Sequence, residues 1–506
     1  MTSRFTSVRA AVALACAASL WSAPAAAQTP STSAAPPQAT VPGDDARQPG
    51  SELTVYLLTM GAGDAIWEKF GHNALWIHDA RTGTDVAYNW GMFDFASEDF
   101  IPRFLQGRMR YWMEAFPLEP MVQAYVETNR SVWAQELALT AAEKRALNEF
   151  VTWNAREENK YYTYDYYRDN CSTRVRDALD RVLGGRLRAE TDTIPSGTTW
   201  RWHTRRLTQD AQPIYTGIDV MLAAPADRPI SAWEEMFLPM RLRDRVRELR
   251  VAGENGEPRP FVVSERQLFA ATRPAEPAQP SRLLPVYVAL GAVLALILGG
   301  LAAAAARGQR GARVGFVTMG TLWSVLAGIA GTLMLLTWLF TDHVVAHANE
   351  NLLQLSPLSL VLAVLLPIAV LRGPLLDGGE YRDPSGAARP RDDSKVERRK
   401  SVIPSEARDL GTRVRREIGG GTASRLAVAV AALAVLGLML QGLPLLDQVN
   451  GQTIALALPP HLALAWGTWT LSARPRSPRM RPAIAPPSPG HRVPGSAASV
   501  PGGAAQ

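Results

Sequence analysis

The stretch YRDNCSTRVRDAL places Cys171, one of two cysteines in a chain of 506 residues, at the start of a helix-spaced apolar pattern. Val175, Ala178, Leu179, Val182 and Leu183 recur on one helical face, and Gly184-Gly185 supplies a stop. Asn170 or Ser172 is of the right type to cap the start. A helix N-terminus presents unpaired N–H groups and the positive end of the macrodipole, which favour a thiolate. Arg174, one turn in, adds a positive charge. The placement predicts a thiol with a lowered pKa, and the thiolate is the nucleophilic form.

A nucleophilic cysteine needs a base, and the Trp- and Tyr-rich region around it offers His72, His78 and His203. FGHNALWI reads as a strand with His72 at its start and Asn73 beside it. The next strand-like run, DVAYNWGMF, carries Asn89, an amide in an otherwise apolar setting. A helix-borne Cys171, a strand-borne His72 and an amide at Asn89 make up the Cys–His–polar set of papain-like enzymes, with the His before the Cys as in circularly permuted relatives. The plainer readings are an inert buried thiol, a strand histidine with satisfied nitrogens and a structural amide. The polar neighbours Asp169, Asn170, Ser172 and Arg174 weigh toward chemistry. His78 is expected at an exposed turn, and His203, in WRWHTRRL, on a basic surface helix.

A metal is not expected. The region lacks paired ligands at zinc spacing, and His343/His347, four residues apart, have no carboxylates to match. FIPRFLQGRMRYWMEAF interleaves Arg103, Arg108 and Arg110 with aromatic rings, which suits either a membrane surface or a helix packed in the domain with its Arg heads solvated. YYTYDYY, just before the cysteine, reads as a Tyr-rich strand whose default role is core packing, with the wall of an acyl groove as the alternative.

The elements that must position these residues fall into blocks. Residues 1–27 read as a signal peptide, with Arg4 and Arg9 before an apolar core and Ala25-Ala26-Ala27 at its end. ALAC ending at Cys16 resembles a lipoprotein box less closely than this simple cleavage site. Residues 28–50 read as a disordered linker, 51–272 as a periplasmic catalytic domain and 273–283 as a Pro-rich connector. Residues 284–472 hold five apolar segments: Leu284–Ala306, Val314–Phe340, Leu352–Leu371, Leu426–Leu446 and Thr453–Leu471. Between the third and fourth lies a loop, 373–425, expected to be disordered and cytoplasmic, and 473–506 reads as a disordered cytoplasmic tail. The net charge of +6 concentrates in alternate loops. Arg307, Arg310 and Arg313 follow the first segment, TDHVVAHANEN after the second has no Lys or Arg, and the loop after the third is dense in them. That alternation predicts a multi-pass protein of a bacterial inner membrane with its N-terminal domain periplasmic. No nucleic-acid motif accompanies the charge.

FGHNALWI, YNWGMF, NRSVWAQELALT, REENKYYTYDYYRDNCSTRVRDAL and TDHVVAHANENLLQLSPL together resemble the Lnb-type proteins, over about Leu53 to Leu471 apart from the inner loop. The resemblance implies an α+β periplasmic domain of permuted papain-like (NlpC-related) fold, followed by an all-α five-helix transmembrane domain. Characterised members are lipoprotein N-acyltransferases, which move a fatty acyl chain from a phospholipid to the N-terminal amine of a lipoprotein. Carried over, this implies Cys171 as nucleophile and His72 as general base. Asn89 is the choice for the third member, and Asn73, Asn170 and Arg174 are supporting residues. Asn73 stands where members often have Ser. His343 and Asn351 are substrate-side guesses at the outer membrane face. The expected partners are a phospholipid acyl donor, a lipoprotein acceptor and the membrane, with no cofactor and no nucleic acid. A papain-like hydrolase, either a peptidoglycan amidase or peptidase or a phospholipase, and a non-catalytic membrane scaffold are the alternatives.

Overall fold

The computed structural model describes residues 48–252, 256–371, 405–443 and 446–472. The expected signal peptide, almost all of the linker, the tail and the first part of the inner loop lie outside the described residues. Strand-forming runs rich in Val, Ile, Leu and aromatic residues build one antiparallel sheet. β1 (Leu53–Met60), β2 (His72–Asp79) and β3 (Thr84–Met92) form a meander. After it come α1 (Phe100–Gln106), β4 (Arg110–Pro117), α2 (Leu118–Glu127), β5 (Val132–Leu137) and α3 (Ala141–Asn154). β6 (Tyr161–Thr163), α4 (Cys171–Val182), α5 (Trp200–Thr208), α6 (Gln212–Met221), α7 (Pro239–Glu248) and β7 (Val262–Phe269) complete the domain, with short turns and ribbons between them. The strand order is β7-β5-β1-β2-β3-β4-β6, so the last strand returns to the sheet just before the connector.

The sheet is covered on both faces. Leu57, Leu75 and Trp90 pack against Leu147 of α3, Val175 and Leu179 of α4 and Leu242 of α7. On the opposite face Leu58, Met60, Ala74 and Ala87 pack with Met121 of α2. Period-two alternation along β2 sends Asn73 toward α4 and His72 toward α2. Asn73 is buried and ties three elements: its Nδ2 donates to the Leu58 carbonyl (3.1 Å) and to Thr59 Oγ1 (2.9 Å). Its Oδ1 lies 2.8 Å from the Ser172 hydroxyl at the start of α4.

Three expectations need correction here. YYTYDYY is a strand only over Tyr161–Thr163. Asp165 ends it by accepting from the N–H groups of Tyr167 (2.9 Å) and Arg168 (2.8 Å), a side-chain turn that competes with the sheet ladder. His203 is buried, not on the surface. It lies 2.9 Å from Thr198 Oγ1 and 3.1 Å from Glu235 Oε1, and its Nδ1 accepts from Arg206 (3.0 Å). The basic face of α5 turns inward because Asp219 and Asp227 pair with Arg201, Glu276 pairs with Arg206 and Glu235 bonds His203. The inner loop is also shorter than expected, because helix resumes at Ser405 in a stretch, 405–425, whose commonest residue is Arg, a good helix former.

The apolar segments form α8 (Leu284–Ala306), α9 (Arg310–Phe340), α10 (Leu358–Leu371), α11 (Ser405–Leu440) and α12 (Gly451–Ser472). The third begins at Leu358, not at residue 352, because Pro357 biases the residue before it away from helix. Leu284–Ala306, Arg310–Phe340, Val344–Val370 and Gly421–Leu440 are long and apolar enough to cross a membrane. α12 is a 22-residue helix alongside α8, less apolar because Pro459, Pro460 and His461 interrupt it.

The two domains meet through polar contacts. The last carbonyls of a helix lack partners within it. At the end of α6 they are met from the other domain: Asn349 Nδ2 donates to Val220 O (2.9 Å) and Met221 O (3.0 Å), and Asn351 Nδ2 to Val220 O (2.9 Å). Gln448 Nε2 donates to Leu222 O (3.1 Å). At α1, Gly107 adopts φ 73° and lies so close to the second domain that an added Cβ would stand 2.8 Å from His343 N. Arg108 pairs with Asp342 beside it (2.6 Å).

Asn73→Leu keeps the volume but removes the amide that donates to the Leu58 carbonyl and Thr59 Oγ1, while Ser172 keeps the Met236 carbonyl as acceptor (2.7 Å). Unmade buried hydrogen bonds of this kind cost on the order of 2 kcal/mol. Thermal unfolding of the detergent-solubilised protein, followed by tryptophan fluorescence, should show a melting temperature lower by several degrees.

Candidate active site

Asn170 is the cap of α4. Its Oδ1 accepts from the N–H groups of Ser172 and Thr173, both at 2.9 Å, while its Nδ2 donates to the carbonyls of Tyr166 and Phe237, both at 3.0 Å. Every polar group of that side chain is engaged, so the position of the next residue, Cys171, is fixed. Cys171 is half-buried and has no disulfide partner.

His72 opens β2, and its Nε2 lies 3.1 Å from Asn89 Oδ1 on β3. Asn89 Nδ2 donates to the Ala87 carbonyl (3.2 Å), which can only accept, so Oδ1 is the atom facing the ring. The His72 proton therefore sits on Nε2, and Nδ1 keeps its lone pair. His72 stacks on Tyr125 of α2 with ring centroids 6.3 Å apart.

His72 and Asn89 belong to the α2 face of the sheet, whereas α4 covers the other face. They meet Cys171 at the strand ends, where β3 bulges between Trp90 and Met92 and the β2–β3 ladder stops at Ala74–Asn89. Gly91, at the bulge, has φ 97°. A Cβ added there would stand 3.4 Å from Cys171 Cβ, 3.9 Å from His72 Cε1 and 4.0 Å from the Tyr162 hydroxyl. Absence of a side chain at this one position opens the gap through which thiol and imidazole approach from opposite faces.

The electrostatics differ from the expected picture. Burial pushes the Cys171 thiol up from its ordinary range. The N–H groups of Asn73, Ser172 and Cys171 itself, aimed at the sulfur, and the charge of Arg130 oppose that shift without reversing it. Burial and Arg130 together lower His72 to about 4, against the hydrogen bond to Asn89. The resting pair is therefore a neutral thiol and a neutral imidazole. Arg174, expected to help ionise the thiol, instead pairs with Asp169 and lies over the Tyr162 ring at 4.2 Å. Arg130 takes its place: it is buried, donates to the Gly61 carbonyl (2.9 Å), pairs with Glu68 (3.2 Å) and covers Tyr125.

Gly91, Arg130 and Tyr162 were not singled out from the sequence, though each stands in a stretch that was. The Tyr162 hydroxyl is buried and has no hydrogen-bond partner in the structure. Among the described residues it therefore keeps a free donor beside Gly91, and leaving such a group unpaired costs about 1–3 kcal/mol. Of the substrate-side guesses, His343 donates from Nε2 to the Phe104 carbonyl (2.8 Å), and Asn351 is buried at the end of α6. Both join the domains and neither reaches Cys171. His347 Nε2 bonds the Thr341 carbonyl (2.9 Å), and no metal-binding cluster occurs among the described residues.

Two family models match the chain. Residues 45–206 match the Lnb N-terminal periplasmic domain and residues 285–375 the Lnb transmembrane domain. The chain belongs to the Lnb family. It is a membrane protein with a periplasmic and a transmembrane domain, and the candidate site lies wholly within the first match. No curated protein and no solved structure matches the chain.

With the thiol above its ordinary range and His72 unprotonated down to about 4, alkylation of Cys171 by iodoacetamide should climb steadily from pH 6 to pH 9. The slope should be about tenfold per unit, with no inflection near the ordinary histidine value. A plateau reached at neutral pH would mean a preformed thiolate–imidazolium pair.

Proposed function

We propose that this Lnb protein is a thiol-dependent acyltransferase that moves a fatty acyl chain from a phospholipid, through a thioester on Cys171, to the N-terminal amine of lipoproteins. The observation that carries the reading is the convergence of Cys171, His72 and three sulfur-directed N–H groups at Gly91, in a chain that also holds a bundle of apolar helices. The arrangement is that of a permuted papain-like site, with Asn89 as the orienting amide.

His72 Nδ1 takes the thiol proton as sulfur attacks the ester carbonyl, so charge separates only while the C–S bond forms. The oxyanion would be held by the Cys171 and Asn73 N–H groups and by the unpartnered Tyr162 hydroxyl. Collapse breaks the C–O bond, and the imidazolium returns its proton to the departing lysophospholipid oxygen. The lipoprotein amine then attacks the thioester, the C–N bond forms, the C–S bond breaks, and His72 takes the amine proton and passes it to the departing sulfur, restoring the thiol and the neutral imidazole. A ping-pong route lets one site serve two bulky lipid substrates in turn.

The proposed setting is the bacterial inner membrane, with five crossings and the site on the periplasmic side. The Arg-rich turn after α8 and the Lys- and Arg-free loop after α9 support that orientation. A wall-cutting hydrolase with the same dyad would gain little from such helices.

Incubation with phosphatidylethanolamine vesicles should add an acyl mass to the peptide containing Cys171, and Cys171→Ser should abolish it. Release of free fatty acid with no thioester and no transfer to an amine would replace this reading with a hydrolase. Tyr162→Phe should lower the acylation rate about 10- to 100-fold while leaving iodoacetamide labelling of Cys171 in place, since it removes one oxyanion donor and not the nucleophile.

A further inference from the structure

We propose that the donor's fatty acyl chain lies along a strip of aromatic rings running from the thiol to the Phe340 end of α9, leaving the bilayer at α1. This rests on the acyltransferase reading and names the subsite that reading lacks. The strip begins at Tyr111, whose register partner across β4 and β6 is Tyr162, the tyrosine bordering Gly91. The Tyr111 ring stacks on Tyr164 (4.2 Å between centroids), Tyr164 meets Tyr166 (5.9 Å), and Tyr166 stacks on His343 (6.2 Å). A second string leaves Tyr111 through Phe93 (5.0 Å) and Phe100 and arrives at His343 through Phe104 (6.2 Å). The two strings share both ends.

His343 lies three residues beyond the end of α9, and its bond to the Phe104 carbonyl holds α1 against that end. Phe104 is 41 % exposed and Leu105 59 %, and on α9 Leu339 is 59 % and Phe340 71 % exposed. Large apolar side chains thus stand on both sides of the junction, at the end of a membrane-length helix and on a short helix of the periplasmic domain, with the exposed Arg108–Asp342 pair beside them. Continuity with the apolar belt at one end and with the nucleophile at the other selects the occupant. A phospholipid acyl chain is apolar, extended and tethered to the ester that Cys171 attacks. A lipoprotein peptide would need backbone partners, which a row of ring faces does not supply.

The test separates this inference from the transferase reading. Full-length Cys171→Ala, in nanodiscs containing phosphatidylethanolamine with a diazirine at the acyl terminus, is irradiated and digested. Adducts are expected on peptides carrying Phe104 and Tyr164–Tyr166. Adducts confined to α8–α12 would overturn the inference, since the chain would then never leave the belt. In the Cys171-containing protein, Tyr166→Asp and Phe104→Asp should each lower the preference for palmitoyl over butyryl p-nitrophenyl ester about tenfold or more. An unchanged ratio in the folded variants overturns the inference, because chain length would then not be read at this strip. Absence of a Cys171 thioester with the crosslinks intact would sink the transferase reading alone.

Discussion

The short contact between Asn73 on β2 and Ser172 on α4 is the constraint on which the site depends. α4 and β2 bring their reactive residues from opposite faces of the sheet, so neither the sheet ladder nor the apolar core alone sets their separation. Asn73 does so by satisfying β1 with its amide nitrogen and the helix start with its oxygen. Asn170 completes the fixture by capping the same turn. The residue between these two anchors is Cys171, the proposed nucleophile, and the residue just before Asn73 is His72, the proposed base. A helix held by packing alone would slide by fractions of an ångström at little cost; one held by fully satisfied buried amides cannot.

The same burial that fixes the geometry keeps the site uncharged at rest. Three N–H groups and the Arg130 guanidinium favour the thiolate, yet burial outweighs them at Cys171 and, together with Arg130, depresses His72. Donors that fail to ionise the resting thiol are not wasted. An interaction accelerates a reaction only to the extent that it strengthens toward the transition state. In the proposed reaction the amides at the sulfur, and a phenol with no partner among the described residues, find their full acceptor only when an oxyanion develops beside them. A thiol that stays neutral at rest also resists adventitious oxidation, which follows thiolate content.

The parts of this site legible in the sequence were those where residue type and local period decide the outcome. The helix start at Cys171, the strand at His72 and the amide at Asn89 each follow from a few neighbouring residues, and the structure brings the three together. What was not legible depends on partners distant in the chain. Gly91 matters only because two other elements converge on it, and no local turn signal marks that. Arg130 replaces the nearer Arg174 because Asp169 claims Arg174 first. His203 reads as a surface residue until acidic groups from three later segments turn its helix face inward. The thiol's charge state was misjudged because the helix-terminus effect is local and readable, whereas desolvation is a property of the assembled fold.

The junction between the domains follows the same logic of satisfied backbone. α6 ends with carbonyls that its own chain leaves open, and Asn349, Asn351 and Gln448 from the helical domain close them. A helix end capped by another domain cannot separate from it without exposing those groups again, so the junction resists rocking more than an apolar contact of equal area would. Arg108 and Asp342 add an exposed ion pair beside Gly107, where His343 meets α1. Asn351 and His343, both distant from Cys171, therefore serve the junction between the domains.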